Sequence, residues 1–301
     1  MRTRSIWNSP PFIRAEDFRT TLDFAVASGQ RVIGILGGEP STHPQLLDLL
    51  RMAWDAGIAT KVFTNGLWRR ADREAIARLA PEHERLLSLI VNLNHPDDTP
   101  PGEQRGQAAF LEATGKHCVL SHNLFRIDTD PAFLVDRVLR HRTRREIRLG
   151  IAQPTVGLET TVLDVSQYPK LAPAVIRLVR LCDEHDIRVG FDCGFTLCMF
   201  TPEELGVLQL AGARFRSHCG PAIDIGTDLG VFPCFPLSKL VGDERLDAFT
   251  DVRQVTDHFR NQFARLYRTG VLEQCRDCHH LRRGRCSGGC AAHVHREFQP
   301  C

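Results

Sequence analysis

The sequence predicts an α/β fold of parallel strands, followed by a small cysteine-rich module that binds metal. The first two thirds of the 301 residues alternate between helical spacing of apolar residues and short β-rich runs. From Cys219 onward this periodicity fades, whereas cysteines become frequent. A chain of this length is enough for one large domain and a small appendage.

Each helix-like segment is followed by a strand-like run, and turn residues mark the boundaries. In the first helix, Phe18, Leu22 and Ala25 recur at helical spacing, and Gly29 follows as a stop signal. The predicted helices are 15–28, 44–56, 70–79, 103–113, 133–141 and 172–185. The predicted strands are 31–36, 59–63, 86–93, 118–124, 146–151 and 188–192. This alternation requires parallel strands with crossover helices, which predicts a β/α barrel or an open doubly wound sheet.

A different element begins after the last strand. Thr201, Pro202 and Glu204 form the signature of a helix start, with an N-cap, a proline at the first position and a capping box. The cysteines at 118 and 182 fall in a strand and a helix, so we expect them to be buried structural thiols.

Composition excludes several classes of protein. The 38 Lys and Arg residues are balanced by 36 Asp and Glu, so no basic field is available to hold nucleic acid. The sequence contains no run of eighteen apolar residues, so no membrane span is predicted. The basic segment 1–7 is not followed by the apolar run that a secretory signal requires. A cytoplasmic location is the expectation.

Two strand ends carry residues suited to a ligand. Gly37, Gly38, Glu39 and Pro40 follow the strand 31–36, and Thr64, Asn65 and Gly66 follow the strand 59–63. Glycines there let the backbone approach a ligand closely, and the Glu39 carboxylate could hold an ammonium group. A tight strand-to-helix turn with an exposed glutamate is the alternative interpretation.

The Gly37–Pro40 turn, the helix after it and the 64–66 segment together resemble the radical S-adenosylmethionine superfamily over residues 15–192. The resemblance implies that Gly37, Gly38, Glu39 and Pro40 line the site for the methionine amino group. It also implies that Thr64, Asn65 and Gly66 lie near the pocket of S-adenosylmethionine.

The defining Cys-x3-Cys-x2-Cys motif of that family, which follows its first strand, has no counterpart here, because no cysteine precedes Cys118. We therefore expect a partial (β/α) TIM-like barrel that lacks its first strand. The sequence is either an N-terminally truncated enzyme, which we favour, or a natural relative without the cluster. In either case we expect no cleavage of S-adenosylmethionine by the chain as given.

The C-terminal cysteines form an array with short internal spacings. Its members are Cys219, Cys234, Cys275, Cys278, Cys286, Cys290 and Cys301. In a reducing compartment such an array indicates metal binding rather than disulfides. A zinc site of Cys275, Cys278, Cys286 and Cys290 is the alternative to iron–sulfur clusters, but it leaves three members without a role.

The array resembles the SPASM extension of radical S-adenosylmethionine enzymes, with Gly230 to Cys234 one residue short and Cys278 to Cys286 two residues long. The resemblance implies two auxiliary 4Fe–4S clusters. The first would be held by Cys219, Cys234, Cys290 and an upstream cysteine, for which we prefer Cys198 over Cys193. The second would be held by Cys275, Cys278, Cys286 and Cys301. The predicted domains are residues 1–195 and 196–301.

The function implied is that of a radical S-adenosylmethionine iron–sulfur oxidoreductase acting on a peptide, a peptide-derived compound or another small molecule. An electron donor such as a flavodoxin or ferredoxin would be its partner. A non-enzymatic iron–sulfur protein for electron transfer or binding and a zinc-stabilised binding module are the alternatives. The residues indicate no catalytic acid or base.

Overall fold

The computed structural model of the chain describes residues 9–155, 161–213 and 217–297. Its main sheet has six parallel strands in sequential order, each hydrogen-bonded to the next along the chain. They are β1 (Val32–Ile35), β2 (Ala59–Thr64), β3 (Leu87–Asn92), β4 (Cys118–Leu124), β5 (Glu146–Ile151) and β6 (Arg188–Phe191). The predicted partial β/α barrel is confirmed, with β1 and β6 at its two edges.

Helices precede or connect the strands where the apolar periodicity predicts them. They are α1 (Ala15–Ala27), α2 (Leu46–Asp55), α3 (Arg70–Leu79), α4 (Pro101–Thr114), α5 (Phe133–His141) and α6 (Ala172–Glu184). The second helix starts two residues later than predicted, and before it Pro40–Thr42 forms a separate 3₁₀ turn capped by the Glu39 side chain. None of the helices in the described ranges combines the length and the apolar character that a membrane span requires.

The core lies between the sheet and the helices that cover its outer face. Val62, Leu89 and Cys118 are in register on neighbouring strands, and none of them is exposed to solvent. Cys182 of α6 is buried in the same core, so the prediction of two structural thiols agrees with their position. Burial raises the pKa of both Cys118 and Cys182 to about 12, which keeps the thiols neutral.

The C-terminal region is more helical than its sequence suggests. The capping box predicted at Thr201 is present, and α7 (Pro202–Leu210) follows it. After the antiparallel pair β7 (Asp224–Ile225) and β8 (Val231–Phe232) comes α8 (Val252–Gln262), which the sequence analysis missed. Asp251 caps α8, and only Val255 and Phe259 are buried along it, so its apolar signal is short. Three further short helices complete the region: α9 (Leu266–Thr269), α10 (His279–Arg282) and α11 (Ala291–Glu297).

The region after residue 195 packs directly on the barrel. Met199, Phe200 and Leu208 belong to the main core, together with Val271 and Val294 from much later in the chain. A second small core gathers around α8, with Val255 and Phe259 among its buried members. The cysteine-bearing segments are therefore anchored against the barrel by apolar packing.

Candidate cofactor and cluster sites

The carboxylate of Glu39 joins the glycine turn to the end of β2. One of its oxygens accepts hydrogen bonds from the Thr64 hydroxyl at 2.7 Å and from the Ser41 amide at 3.2 Å. The other accepts from the Asn65 amide at 2.8 Å. The structure thus brings together the two segments that the sequence analysis singled out, 37–40 and 64–66. Each carboxylate oxygen has more than one acceptor position, so Glu39 can still receive a further donor.

The end of β2 is itself firmly held. The Thr64 hydroxyl accepts from the Trp68 indole at 2.8 Å and from the Gly66 amide at 3.1 Å. Gly66 has a φ of 76°, and a Cβ there would lie 3.2 Å from Val91. Gly37, with a φ of 153°, is exposed and has free space around it. Backbone conformation therefore favours glycine at both positions, and only Gly66 is also restricted by its neighbours.

A row of polar side chains crosses the inner face of the barrel. Asn92 of β3 is in register with Ser121 of β4, and Ser121 is in register with Arg148 of β5. The Asn92 side-chain oxygen is buried and has no hydrogen-bond partner in the described part of the chain. This row was not predicted from the sequence, although an arginine between the apolar residues Ile147 and Leu149, both buried in the structure, was a signal for it.

Arg148 organises this inner face. Its guanidinium lies 5.0 Å from the centre of the Phe63 ring, and it forms an ion pair with Asp192 at the end of β6. Gly150 leaves space for the groups around it, since a Cβ there would lie 2.2 Å from the Asn123 side-chain oxygen and 3.4 Å from the Asp192 carboxylate. The inner face of the barrel therefore carries a cation, a carboxylate and amide groups close to one another.

Three of the predicted metal ligands, Cys219, Cys234 and Cys290, lie together as a first cysteine set. Cys290 is buried, and Cys219 and Cys234 pack against its apolar surroundings. The pKa of Cys290 is raised chiefly by its hydrogen bond with Cys219 and then by burial. Burial raises the pKa of Cys234 to about 12, and the nearby Cys219 adds to this effect. Thiols crowded in an apolar site are stable as thiolates only with a cation among them.

A tyrosine faces the first cysteine set. The hydroxyl of Tyr267 is buried without a hydrogen-bond partner in the residues that the structure describes. Tyr267 packs against the cluster that contains Cys290, as Cys219 and Cys234 do. Burial raises the pKa of Tyr267, and so would a negative charge on any of these three thiols. A buried donor with no acceptor normally costs about 1–3 kcal/mol. Thiolates or sulfides of a bound cluster would be suitable acceptors, so the donor set fits such a group.

Cys275, Cys278 and Cys286 form a second cysteine set. The Gly288 amide donates a hydrogen bond to the Cys286 sulfur at 3.3 Å, and a Cβ on Gly288 would lie 3.2 Å from the Cys275 sulfur. Gly270, with a φ of 74°, leaves space on another side of Cys275, because a Cβ there would lie 2.7 Å from its sulfur.

The upstream cysteine of our preference, Cys198, is exposed, and its sulfur lies 3.4 Å from the Thr196 hydroxyl. The pKa of Cys275 is raised by burial and, to a smaller extent, by the charges of Cys198 and Cys278. Cys301 lies outside the described residues. Within those residues, no three His, Cys, Asp or Glu side chains are arranged around a point that a single metal ion could occupy.

Solved structures with the same fold exist at low sequence identity. Streptococcus suis SuiB bound to S-adenosylmethionine superposes with a TM-score of 0.67 at 18% identity, over 95% of this chain and 68% of SuiB. SuiB bound to the precursor peptide SuiA gives the same TM-score and identity, over 95% of this chain and 67% of SuiB. The anSMEcpe structure with bound AdoMet gives 0.61 at 17% identity, over 96% of this chain and 84% of anSMEcpe.

No family model matches the sequence. No curated protein is similar enough in sequence to count as a match. At such identities the structural likeness concerns the fold. The chain has the fold of the radical S-adenosylmethionine enzymes, as the sequence resemblance predicts.

Proposed function

We propose that the chain is a radical S-adenosylmethionine protein of the SPASM type, which holds two auxiliary 4Fe–4S clusters and acts on a peptide. The observation that carries this proposal is the first cysteine set, where three thiols pack in one cluster with Tyr267, whose buried hydroxyl has no hydrogen-bond partner in the described residues. A purely structural group of cysteines would not need a buried hydrogen-bond donor packed beside it. The fold shared with SuiB and anSMEcpe supports the same interpretation.

The two cysteine sets would hold separate clusters. Cys219, Cys234 and Cys290 would ligate one of them, and Cys275, Cys278 and Cys286 the other, with Cys301 as the implied fourth ligand. When bound, such clusters supply one-electron chemistry. The protein would exclude water around Cys290 and donate hydrogen bonds from Tyr267 and the Gly288 amide. A zinc site of Cys275, Cys278, Cys286 and Cys290 would require Cys290 to break its hydrogen bond with Cys219.

The inner face of the barrel fits a cofactor that carries an amino-acid group. Glu39 has free acceptor capacity for an ammonium, and Arg148 can bind a carboxylate in a bidentate manner. Gly37, Gly38, Pro40 and the 64–66 segment surround Glu39, as the resemblance implies. We expect these residues to bind S-adenosylmethionine.

A peptide is the substrate class that the structural comparisons favour. SuiB is bound to the precursor peptide SuiA in one structure, and anSMEcpe is bound to the Kp18Cys peptide in another. We extend this to the present chain as a proposal, with a flavodoxin or ferredoxin as the electron donor.

Anaerobic reconstitution of the chain with iron and sulfide tests the proposal. We expect about eight irons per chain and a broad absorption near roughly 400 nm. Stoichiometric zinc with a colourless protein would instead show the binding module. The gene upstream of the Met1 codon provides the second test: an in-frame Cys-x3-Cys-x2-Cys supports an enzyme, and an in-frame stop codon supports a non-enzymatic cluster protein.

A further inference from the structure

We propose that the arginine-rich surface around the second cysteine set is the docking site for an acidic electron-transfer protein of the flavodoxin or ferredoxin type. This inference rests on the proposed function, because it assigns the surface that the electron donor contacts. We call this surface the arginine patch. Its members are Arg265, Arg268, Arg276, Arg282, Arg283 and Arg285.

The arginine patch is a local excess of positive charge in a chain whose charges are otherwise balanced. Segment 265–285 contains six arginines and only two acidic residues, Glu273 and Asp277, whereas the whole chain has 38 Lys and Arg and 36 Asp and Glu. All six arginines are exposed. Because salt limits the reach of such a field to about 8 Å at physiological ionic strength, it acts on a partner that approaches this surface.

The arginines of the patch are not used in ion pairs. Within the described ranges, no carboxylate forms a salt bridge with any of the six, and one side-chain hydrogen bond is present, from Arg282 to the Asp277 carbonyl. Arg126 on the barrel is the opposite case, since its guanidinium lies 2.8 Å from the Asp98 carboxylate. Guanidinium groups without a carboxylate keep their donors available for a partner.

The other arginine-rich segment of the chain, 137–148, is bonded to its surroundings. Arg140 pairs with Asp136 at 3.1 Å. Arg144 donates to the Ser88 hydroxyl at 2.9 Å. These charges are therefore committed to the fold of the barrel, in contrast to those of the arginine patch.

The fold brings the first half of the patch next to the second cysteine set. Arg268 lies in α9, two residues before Gly270. A Cβ on Gly270 would lie 2.7 Å from the Cys275 sulfur and 3.5 Å from the Leu281 side chain of α10. The end of α9 therefore contacts both a cysteine of the set and the helix that carries the other arginines.

The second half of the patch is held in a fixed position by hydrogen bonds. Helix α10 begins directly after Cys278, and the Arg282 amide donates to the Cys278 carbonyl at 3.1 Å. After the helix, the Ser217 hydroxyl donates to the Arg285 carbonyl at 2.7 Å. Because the backbone is fixed at both ends, little conformational freedom is lost when a partner docks.

The position of the arginines beside the cysteines favours a redox partner over other acidic molecules. Cys278 is half-buried, whereas Cys275 and Cys286 are buried. Arg276 lies between Cys275 and Cys278, and Arg285 directly precedes Cys286. Electron-transfer complexes have small interfaces, and complementary charge speeds their encounter. One electron would pass from the reduced partner, which is oxidised, to the cluster, which is reduced, and no bond forms or breaks.

Two matched double variants test the docking surface. Arg268→Glu with Arg283→Glu alters the patch, whereas Arg31→Glu with Arg85→Glu makes the same change of net charge at exposed positions before β1 and β3. Binding of the cluster-free full chain to a purified acidic flavodoxin is measured by surface plasmon resonance at about 50 and about 300 mM salt. At low salt we expect the Kd to rise at least about tenfold in the patch variant and less than about threefold in the control.

Salt and a milder substitution provide the controls for this measurement. Wild-type binding should weaken at the higher salt concentration, because the contacts are between exposed charges. Arg268→Gln with Arg283→Gln removes the two charges without reversing them and should give an intermediate Kd. Equal loss of binding in the patch variant and in the Arg31→Glu with Arg85→Glu control, or no binding by the wild type, overturns the proposal.

Reduction kinetics distinguish an electron donor from other acidic partners. The reconstituted chain is mixed with reduced flavodoxin without air, and cluster reduction is followed by electron paramagnetic resonance of rapidly frozen samples. We expect the patch variant to be reduced at least about tenfold more slowly than the wild type, whereas dithionite, which needs no docking surface, should reduce both at the same rate. Binding without an effect on this rate, or tighter binding of an RNA oligonucleotide than of flavodoxin, would assign the patch to another partner and overturn the proposal.

The measurements separate this inference from the proposed function. A chain that takes up about eight irons but binds flavodoxin equally well in both double variants supports the function and overturns the docking surface. A wild-type chain that takes up no iron contradicts the proposed function, while the binding comparison on the cluster-free protein still decides whether the patch holds flavodoxin.

Discussion

The Tyr267 hydroxyl shows how much a single side chain can indicate about a site. It is a buried donor without an acceptor in the described residues, and its side chain packs in one cluster with three cysteines. A neutral thiol is a weak acceptor, whereas a thiolate or a sulfide carries negative charge and accepts more strongly. The residue is therefore suited to a protein that contains a cluster more than to one that lacks it.

We expect Tyr267→Phe to lower the reduction potential of the first cluster by roughly 40 mV, the equivalent of about 1 kcal/mol for one hydrogen bond. The reason is that a donor to cluster sulfur stabilises the more negative, reduced state. A redox titration followed by electron paramagnetic resonance measures the shift. The cluster-free variant should be at least as stable as the cluster-free wild type, since an unsatisfied buried donor is removed. An unchanged potential would mean that the hydroxyl does not donate to the cluster.

In addition to its proposed role in binding, Glu39 links the glycine turn to the end of β2 through hydrogen bonds. Its carboxylate accepts from the Thr64 hydroxyl and from two backbone amides, those of Ser41 and Asn65. A glutamine can accept at only one of its two terminal atoms, and its amide group would face a donor at the other.

We therefore expect Glu39→Gln to reduce the free energy of unfolding by about 1–2 kcal/mol, the value of hydrogen bonds to a charged group that is half-buried. Urea denaturation followed by circular dichroism measures this change. The same substitution at Glu112, exposed on α4, serves as the control and should change stability by less than about 0.5 kcal/mol. Equal stability of the two variants would show that Glu39 is not a structural link.

At the scale of elements, the loop after β6 is defined by a glycine that cannot be replaced freely. Gly194 combines a φ of 105° with a neighbouring Gln153 amide only 2.3 Å from where a Cβ would be. Gly206 in α7 is the opposite case, because it is helical and has free space around its Cα. The two glycines form a matched pair for one substitution.

We expect Gly194→Ala to destabilise the protein by about 2 kcal/mol or more through backbone strain and the displaced Gln153. In contrast, Gly206→Ala should stabilise it by about 0.5–1 kcal/mol, since alanine has the higher helix propensity. Thermal and urea unfolding of both variants provide the comparison. Equal effects of the two substitutions would contradict the close packing of Gln153 against the loop.

At the scale of the whole molecule, buried neutral histidines link stability to pH. His122 of β4 is fully buried, its Nδ1 donates to the Leu93 carbonyl at 2.7 Å, and its Nε2 has no partner in the described part of the chain. Burial lowers the pKa of His122 below its ordinary value of 6.5, and burial also lowers the pKa values of His117 and His141.

Because the unfolded chain protonates His122 more readily, the stability that neutral His122 provides is fully present above pH 6.5. It is lost as the pH falls from 6.5 towards the lowered pKa of the folded state, by up to about 1.4 kcal/mol per pH unit. We expect His122→Gln to flatten the pH dependence of unfolding between about pH 6.5 and 5.5, without removing the parts due to His117 and His141. As a control, His185→Gln changes an exposed histidine and should leave the pH dependence of the free energy of unfolding as it is. An unaltered pH dependence in His122→Gln would contradict the prediction.

Periodicity and turn residues predicted the order of the helices and strands in the barrel. They also predicted where each element begins and ends to within about two residues. The capping box at Thr201 was equally readable, because all of its interactions lie within four residues. Helix α8 was missed because its buried face consists of only Val255 and Phe259. A pattern this short does not differ from that of an exposed loop.

By itself, the sequence determined the fold class and the glycine turn. These are encoded in neighbouring residues, so local patterns reveal them. Only the tertiary structure decided that Glu39 meets Thr64 and Asn65, that Arg148 pairs with Asp192, and that Cys290 meets Cys219. Those contacts join residues 25 or more positions apart. Their partners are selected by how strands and loops pack, and no spacing along the chain specifies that packing.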